Sequence, residues 1–191
     1  MCRHIGYIGN REFIDKIILK KNHSLIDMAF QPKEMENAKL NADGFGIGWN
    51  SQENKNKFLL YKNFMPIWND QNLESFAKSI KTSLMIGNVR SATILENVGY
   101  QNTHPFLFEN LIFSHNGYIE NFEKKIKGKI LSLLDKKLFS KIKGNTDSEL
   151  IFLVIITIYK KEKSLLKAIK KTIKILSEIC GAAMLNIMVA E

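Results

Sequence analysis

The sequence predicts an α+β domain in which strands and helices occupy separate blocks of the chain. Strand-like segments lie near the N-terminus, in the middle of the chain and at the C-terminus, whereas helical periodicity dominates the region before the last segment. Because strands and helices do not alternate regularly, the pattern favours stacked layers over repeated βαβ units. A length of 191 residues and a hydrophobic content of 45% predict one compact domain over residues 1–191.

The first half of the chain is predicted to contain four strands. The segment CRHIGYIG is the first strand, and SLIDMAFQPKEMENAK is expected to form one or two short helices. DGFGIGWN and KFLLYKN have the composition of paired strands. A helix over LESFAKSIKTS then leads into a strand over LMIGNVRSA.

The second half is predicted to be mostly helical between two further strands. NLIFSHNGYI is the first of these strands, and a lysine-rich helix follows at about 126–138. Two longer helices are expected at about 146–159 and 164–179. The last residues, AAMLNIMVAE, are predicted to form a strand.

Composition excludes several classes of protein. The net charge of +9 comes largely from lysines spaced through amphipathic helical patterns, which indicates solvated helix faces, and nucleic acid is therefore not expected as a partner. The longest apolar run, Ile151–Tyr159, is too short to cross a bilayer, and no secretory signal is recognisable, so a cytoplasmic protein is expected. Cys2 and Cys180 are the two cysteines. They predict neither a disulfide framework nor a zinc site, and no cofactor is expected.

Alternating glycines mark the strand DGFGIGWN. Gly44, Gly46 and Gly48 leave one face of this strand bare, while large apolar side chains occupy the other face. The bare face predicts close approach of another part of the structure. Tight packing against a second sheet and the presence of a substrate or an active-site loop are equally compatible with it.

Two polar positions at strand ends each allow a structural and a functional interpretation. In NVRSAT, Asn88 and Arg90 lie on one side of the strand. Arg90 makes either a surface ion pair or a bidentate clamp on a carboxylate, for which the planar guanidinium is suited. In NTHPF, Pro105 restricts His104 to extended geometry, which fits a rigid turn or a residue that orients a neighbouring loop.

Two further motifs also have two interpretations. Asn116 and Gly117 are either a hairpin turn or a side-chain amide donor followed by an unshielded N–H group. Thr146 and Glu149 fit a capping box. Asp147 then lies in the first helical turn, where the helix dipole stabilises a negatively charged carboxylate. A carboxylate at this position is also suited to bind a substrate ammonium group.

The order of these motifs resembles the class II glutamine amidotransferases. Cys2, DGFGIGW, Arg90 in VRSAT, NTHPF, HNGYIEN and TDSE follow one another as in that family. The resemblance implies a four-layer αββα sandwich of the N-terminal nucleophile hydrolase type. It also decides between the two readings of Cys2, an ordinary residue of an edge strand or the amino terminus after removal of Met1, in favour of the second.

The resemblance implies a role for each of six residues. Cys2 is the nucleophile, and its free α-amino group, with a reference pKa of about 7.7, acts as the base for a thiol of about 8.5. The amide of Asn116 and the N–H of Gly117 hold the oxyanion. Arg90 binds the substrate α-carboxylate and Asp147 its α-ammonium group, and Thr93 lines the same pocket.

The DGFGIGW and VRSAT forms resemble the stand-alone branch that contains the γ-glutamyl amidohydrolases of ergothioneine synthesis and glutathione breakdown. We therefore expect cleavage of glutamine or a γ-glutamyl amide, either alone or with an ammonia-accepting partner protein. The chain ends within its last predicted strand, where family members continue, so a copy that is either truncated or divergent at its C-terminus is expected. Two alternatives remain: an N-terminal cysteine acylase acting on non-glutamyl amides, and a non-catalytic basic interaction module.

Overall fold

Seven strands form two sheets in the part of the chain that the computed structural model describes, residues 2–20, 22–30, 40–55, 57–92 and 98–191. The strands are β1 (Arg3–Phe13), β2 (Phe45–Ser51), β3 (Lys57–Asn63), β4 (Lys81–Val89), β5 (Phe106–Phe108), β6 (Leu111–Ile119) and β7 (Ala183–Ala190). The strand orders are β1-β4-β2-β3 and β5-β6-β7. The predicted α+β class is therefore confirmed, and β2 and β3 pair antiparallel as the sequence predicts.

The helices are α1 (Ile14–Ile18), α2 (Leu25–Phe30), α3 (Leu73–Ser79), α4 (Lys127–Leu133), α5 (Asp147–Glu162) and α6 (Leu165–Ile179). Short 3₁₀-helical segments lie at Ile67–Asn69, Tyr100–Asn102 and Lys136–Lys141, and a π-helical segment lies at Phe122–Ile126. The segment predicted to form one or two short helices contains α2, and its remainder at 31–39 lies outside the described residues. Neither α1 nor the short strand β5 is predicted from the sequence.

The described residues group into two compact units, one of residues 1–116 with 187–191 and the other of residues 117–186. In the first unit, the apolar face of β2 packs on the helical side of the four-stranded sheet. Phe45, Ile47 and Trp49 belong to one buried cluster with residues of α1, α2 and α3. The ring of Trp49 meets that of Phe76 edge-on, at 5.3 Å between centroids. This packing leaves the glycine face of β2 for the opposite side of the sheet.

The glycine face of β2 packs against other chain segments of the same unit. The main-chain oxygen of His104 lies where a β-carbon of Gly46 would stand, and Ile112 and Pro105 lie over Gly48 in the same way. Phe58, Ile86 and Ile112 form an apolar cluster on this side of the sheet. Over Gly48 the covering residue Ile112 belongs to β6 of the second sheet, as the first interpretation predicts, whereas Gly46 is covered by the main chain of His104, which lies in a loop.

The second unit is built around α5 and α6. Nearly every side of α5 is buried, from Leu150 to Ile158, whereas α6 buries only Ala168, Thr172 and Leu176 and exposes its lysines. The lysine-rich pattern is thus a solvated helix face, as predicted. Within the described part of the chain, no helix has both the length and the apolar character needed to span a membrane.

Candidate active site

Cys2 and Arg90 lie next to each other at one end of the four-stranded sheet. Arg3 is opposite Val89 in the pairing of β1 with β4, which places Cys2 and Arg90 just beyond the paired residues. The Cys2 thiol donates a hydrogen bond to the main-chain oxygen of Ser91, with 3.5 Å between Sγ and O. Arg90 is only 5% exposed, so the interpretation of Arg90 as a member of a surface ion pair is wrong.

The two side chains influence each other electrostatically. Burial raises the pKa of the Cys2 thiol, and the positive charge of Arg90 acts in the opposite direction. Burial lowers the pKa of the Arg90 guanidinium, while Cys2 and Asp43 oppose this shift. Because the thiol pKa is raised overall, ionisation of Cys2 at neutral pH calls for a nearby base.

Asp43 supports the segment that carries Arg90, a contact that sequence reasoning missed. Its Oδ2 atom accepts a hydrogen bond from the N–H of Ala92 at 2.7 Å, and its own N–H donates to the main-chain oxygen of Arg90 at 2.9 Å. The Arg90 N–H donates in turn to the main-chain oxygen of Gly44 at 2.8 Å. The sequence feature that could have indicated this contact is an aspartate directly before the glycine-rich strand.

Asn116 lies within β6, which runs without interruption from Leu111 to Ile119. The interpretation of Asn116 and Gly117 as a hairpin turn is therefore wrong. Asn116 is half-buried, and its Oδ1 atom has no hydrogen-bond partner among the described residues. Gly117 follows in the same strand, is half-buried, and belongs to the second unit.

Asp147 also belongs to the second unit, where it begins α5. Its Oδ2 atom accepts a hydrogen bond from the N–H of Ile119 at 2.8 Å, and its Oδ1 atom accepts one from the N–H of Ser148 at 2.7 Å. The Thr146 hydroxyl accepts from the N–H of Glu149 at 3.3 Å, as predicted for the cap, but the Glu149 carboxylate accepts from the N–H groups of Lys143 and Gly144, each at 2.8 Å, in place of the second capping-box bond. The Asp147 carboxylate thus has a structural role at the start of α5.

The other candidates have different outcomes. Thr93 lies outside the described residues, so its predicted place in the pocket stays a prediction.

His104 is buried and precedes a cis proline bond, and neither of its ring nitrogens has a hydrogen-bond partner among the described residues. Burial lowers the pKa of His104 well below its usual value, and the nearby His115 and Arg90 act in the same direction. In the described ranges, no group of His, Cys, Asp and Glu is arranged to hold a metal ion.

Comparison with solved structures supports the fold. A class II glutamine aminotransferase domain protein from Silicibacter pomeroyi superimposes with a TM-score of 0.65 and 21% sequence identity, over 98% of this chain and 71% of that one. The glutamine phosphoribosylpyrophosphate amidotransferase of Bacillus subtilis matches with a TM-score of 0.52 and 28% identity, over 77% of this chain and 29% of that one. Both likenesses agree with the α+β class.

Curated relatives have related names. The chain is 32% identical over 160 residues to the probable glutamine amidotransferase DUG3 of Saccharomyces cerevisiae, a match that covers 80% of this chain and 44% of that protein. It is 26% identical over 120 residues to the γ-glutamyl-hercynylcysteine sulfoxide hydrolase of Mycobacterium tuberculosis, covering 63% of this chain and 50% of that one. The chain therefore spans about half the length of these relatives.

A family model decides the assignment. The model described as class-II glutamine amidotransferases matches residues 21–191, which is most of the chain but does not include Cys2. The motifs around Arg90, Asn116 and Asp147 all lie within the matched range. This chain belongs to the class II glutamine amidotransferases.

Proposed function

We propose that this protein is an amidohydrolase that cleaves the γ-carboxamide of glutamine, or the corresponding bond of a γ-glutamyl amide, through a thioester on Cys2. The strongest support is the position of the Cys2 thiol beside the buried guanidinium of Arg90. A nucleophile next to a fixed cation suits a substrate that carries both a carboxylate and a reacting carbonyl group, because the cation can bind the carboxylate while the nucleophile attacks the carbonyl carbon. The names of the two relatives agree with this class of substrate.

The proposed reaction begins with proton transfer. After removal of Met1, the α-amino group of Cys2 takes the thiol proton, and the thiolate attacks the γ-carbonyl carbon. The amide of Asn116 and the N–H of Gly117 stabilise the oxyanion. The carbon–nitrogen bond then breaks, the nitrogen leaves as ammonia or an amine with the transferred proton, and the thioester remains. Water hydrolyses the thioester and releases glutamate.

Substrate binding is assigned to three residues. Arg90 binds the α-carboxylate, Asp147 binds the α-ammonium group, and Thr93 lines the pocket. The carboxylate of Asp147 retains lone pairs beyond those used by Ile119 and Ser148, since each carboxylate oxygen accepts more than one hydrogen bond. Because both charges of the amino-acid head are recognised in this scheme, specificity lies in the head and not in the leaving group.

Membership of the family supports the wider features of the proposal. We assign residues 1–191 to one amidotransferase domain with four αββα layers, and we expect no cofactor. Ammonia is either released or passed to an accepting partner protein. Salt-dependent binding to nucleic acid without hydrolysis would favour the non-catalytic alternative, and cleavage of non-glutamyl amides alone would favour the acylase.

The experiment combines intact mass with a substrate panel. The purified protein is expected to lack Met1 and to release glutamate from glutamine or from at least one γ-glutamyl amide. Cys2→Ala should abolish release, whereas Cys180→Ala, which removes the other cysteine, should leave it unchanged. Full hydrolysis by protein that retains Met1 would overturn the proposed base. Glutamate release by Cys2→Ala would overturn the nucleophile.

A further inference from the structure

Three polar side chains meet near the candidate site, one from each of three strands: Asn88 and Ser114 are buried, and His4 is half-buried. The hydroxyl of Ser114 on β6 lies 3.2 Å from Nδ1 of His4 on β1. The same hydroxyl accepts a hydrogen bond from Nδ2 of Asn88 on β4, also at 3.2 Å. Ser114 and Asn88 have no exposed surface. A single hydroxyl group therefore joins two strands of the first sheet to a strand of the second.

Each member of this trio is two residues from a residue of the proposed site. His4 follows Cys2, Asn88 precedes Arg90, and Ser114 precedes Asn116. Side chains two residues apart on an extended chain point to the same side. The trio therefore lies one row behind the proposed nucleophile, carboxylate-binding residue and oxyanion donor, of which Cys2 and Arg90 lie just beyond the ends of β1 and β4.

The polar character of this row contrasts with the row on its other side. Two residues further from the site along β4 and β6 lie Ile86 and Ile112, which belong to the apolar cluster of the unit. Burying polar groups costs free energy unless they are hydrogen-bonded, so an apolar row would give the simpler core. Hydrogen bonds, unlike apolar contacts, fix the relative alignment of the groups that they join.

We propose that Ser114 is a positioning residue, whose hydroxyl group fixes the alignment of the strands that carry Cys2, Arg90 and Asn116. This inference rests on the proposed function. The hydroxyl has one hydrogen and two lone pairs, so it accepts from Asn88 and still has a donor and an acceptor for His4. A displacement of about 1 Å between reacting groups is enough to cost on the order of 100-fold in rate.

The inference predicts a division between the two kinetic constants. Ser114→Ala should lower kcat by up to about 100-fold, because Ser114 lies on the strand of the proposed oxyanion donor and its loss would let that donor shift. Asn88→Ala should act mainly by raising KM, because Asn88 lies on the strand of Arg90. A merely structural role would lower the melting temperature and the folded fraction but leave kcat and KM of the folded enzyme unchanged.

The experiment measures kcat and KM for glutamine or the best γ-glutamyl amide, together with thermal melting. Ser51→Ala is the matched control, because Ser51 is a buried serine at the far end of β2 whose hydroxyl bonds to Glu53. It should keep wild-type kcat and KM. Unchanged kcat in folded Ser114→Ala overturns the inference. If Ser114→Ala does not fold, the double variant Ser114→Ala with Asn88→Leu, which leaves no buried amide without its acceptor, is measured by the same criterion.

A second measurement separates this inference from the proposed function. Alkylation of Cys2 by iodoacetamide, in a Cys180→Ala background, reports the surroundings of the thiol without any turnover. If the wild type cleaves no γ-glutamyl amide, the proposed function fails. The alkylation rate of Cys2 alone then decides whether Ser114 has the positioning role. At least a threefold change in that rate on Ser114→Ala, with none on Ser51→Ala, supports the positioning role. Equal rates in all variants overturn it.

Discussion

The main-chain carbonyl oxygen of His104 occupies the position that a β-carbon on Gly46 would need. Such a β-carbon would also stand 3.0 Å from Cγ of Lys62 and 3.1 Å from the carbonyl carbon of His104. Since two of these three neighbours are main-chain atoms, they cannot move aside as the end of a flexible side chain would. The absence of a side chain at position 46 is what allows the His104 segment to lie on the sheet.

Gly46→Ala should therefore destabilise the protein by about 1–3 kcal/mol or more, the range found for overpacked cores. Gly128→Ala is the control, since a β-carbon there meets nothing within 4 Å and the residue lies inside α4. That change should be neutral or stabilising by up to roughly 1 kcal/mol. Urea unfolding of both variants measures the difference, and equal stabilities would contradict the close approach at Gly46.

The sequence predicted the bare face of β2 but not what covers it. The covering segment, Thr103–Pro105, is more than fifty residues away along the chain, and local periodicity contains no information about such pairing. The same limit applies to Asn116 and Gly117, whose turn propensity is overridden by the strand that they continue.

The helix predictions that differ from the structure do so for local reasons. The helix predicted at about 126–138 ends at Leu133, because Asp135 caps a new turn by accepting the N–H of Lys137 at 2.9 Å. The five residues of α1 are too few to show a helical period.

For the site, the sequence identified Arg90 and Asn88 on one face, but the hydroxyl of Ser114 and the carboxylate of Asp43 become recognisable only when distant strands are brought together.

Asn116→Ala should lower kcat by on the order of 100- to 1000-fold while the fold is preserved, as loss of one oxyanion donor does elsewhere. Asn110→Ala is a suitable control on the same hairpin, because the side chain of Asn110 accepts a hydrogen bond from the N–H of Phe58 at 3.4 Å. That variant should lose some stability and keep its kcat. A change of less than about threefold on Asn116→Ala would remove this residue from the proposed site.

His104 should make the protein less stable in mild acid. Burial, with His115, Arg90, Lys62 and His4 nearby, lowers its pKa well below the ordinary value, so the folded protein keeps this ring neutral. The unfolded chain takes up a proton below a pH of about 6.5, and stability then falls by up to roughly 1.4 kcal/mol per pH unit. Above that pH, His104 adds no pH dependence.

Urea unfolding at pH 5, 6 and 7 tests this expectation. His104→Asn removes the titrating ring, so its stability should decline less steeply between pH 6.5 and 5 than that of the wild type. The comparison of slopes matters here, because the substitution also alters packing at every pH. Parallel slopes would mean that the folded protein protonates His104 as readily as the unfolded chain does.

The last prediction separates the two proposed charge contacts by means of the substrate. Glutaramate has the carboxylate and the amide of glutamine but lacks the α-ammonium group. If Arg90 binds the carboxylate, Arg90→Gln should reduce kcat/KM for both compounds by roughly 10- to 100-fold, the range expected for a hydrogen bond to a charged group. It should also slow alkylation of Cys2 at neutral pH, because the charge of Arg90 opposes the rise in the thiol pKa.

Asp147→Asn should behave differently. The amide keeps one acceptor but replaces an oxygen that receives the N–H of Ile119 or Ser148, so some loss of stability is expected whatever its role. If the carboxylate also binds the α-ammonium group, kcat/KM should fall for glutamine and γ-glutamyl amides but change little for glutaramate, and alkylation of Cys2 should be unaffected. Equal losses on glutamine and glutaramate, in proportion to the fraction of unfolded protein, would assign Asp147 to the start of α5 alone.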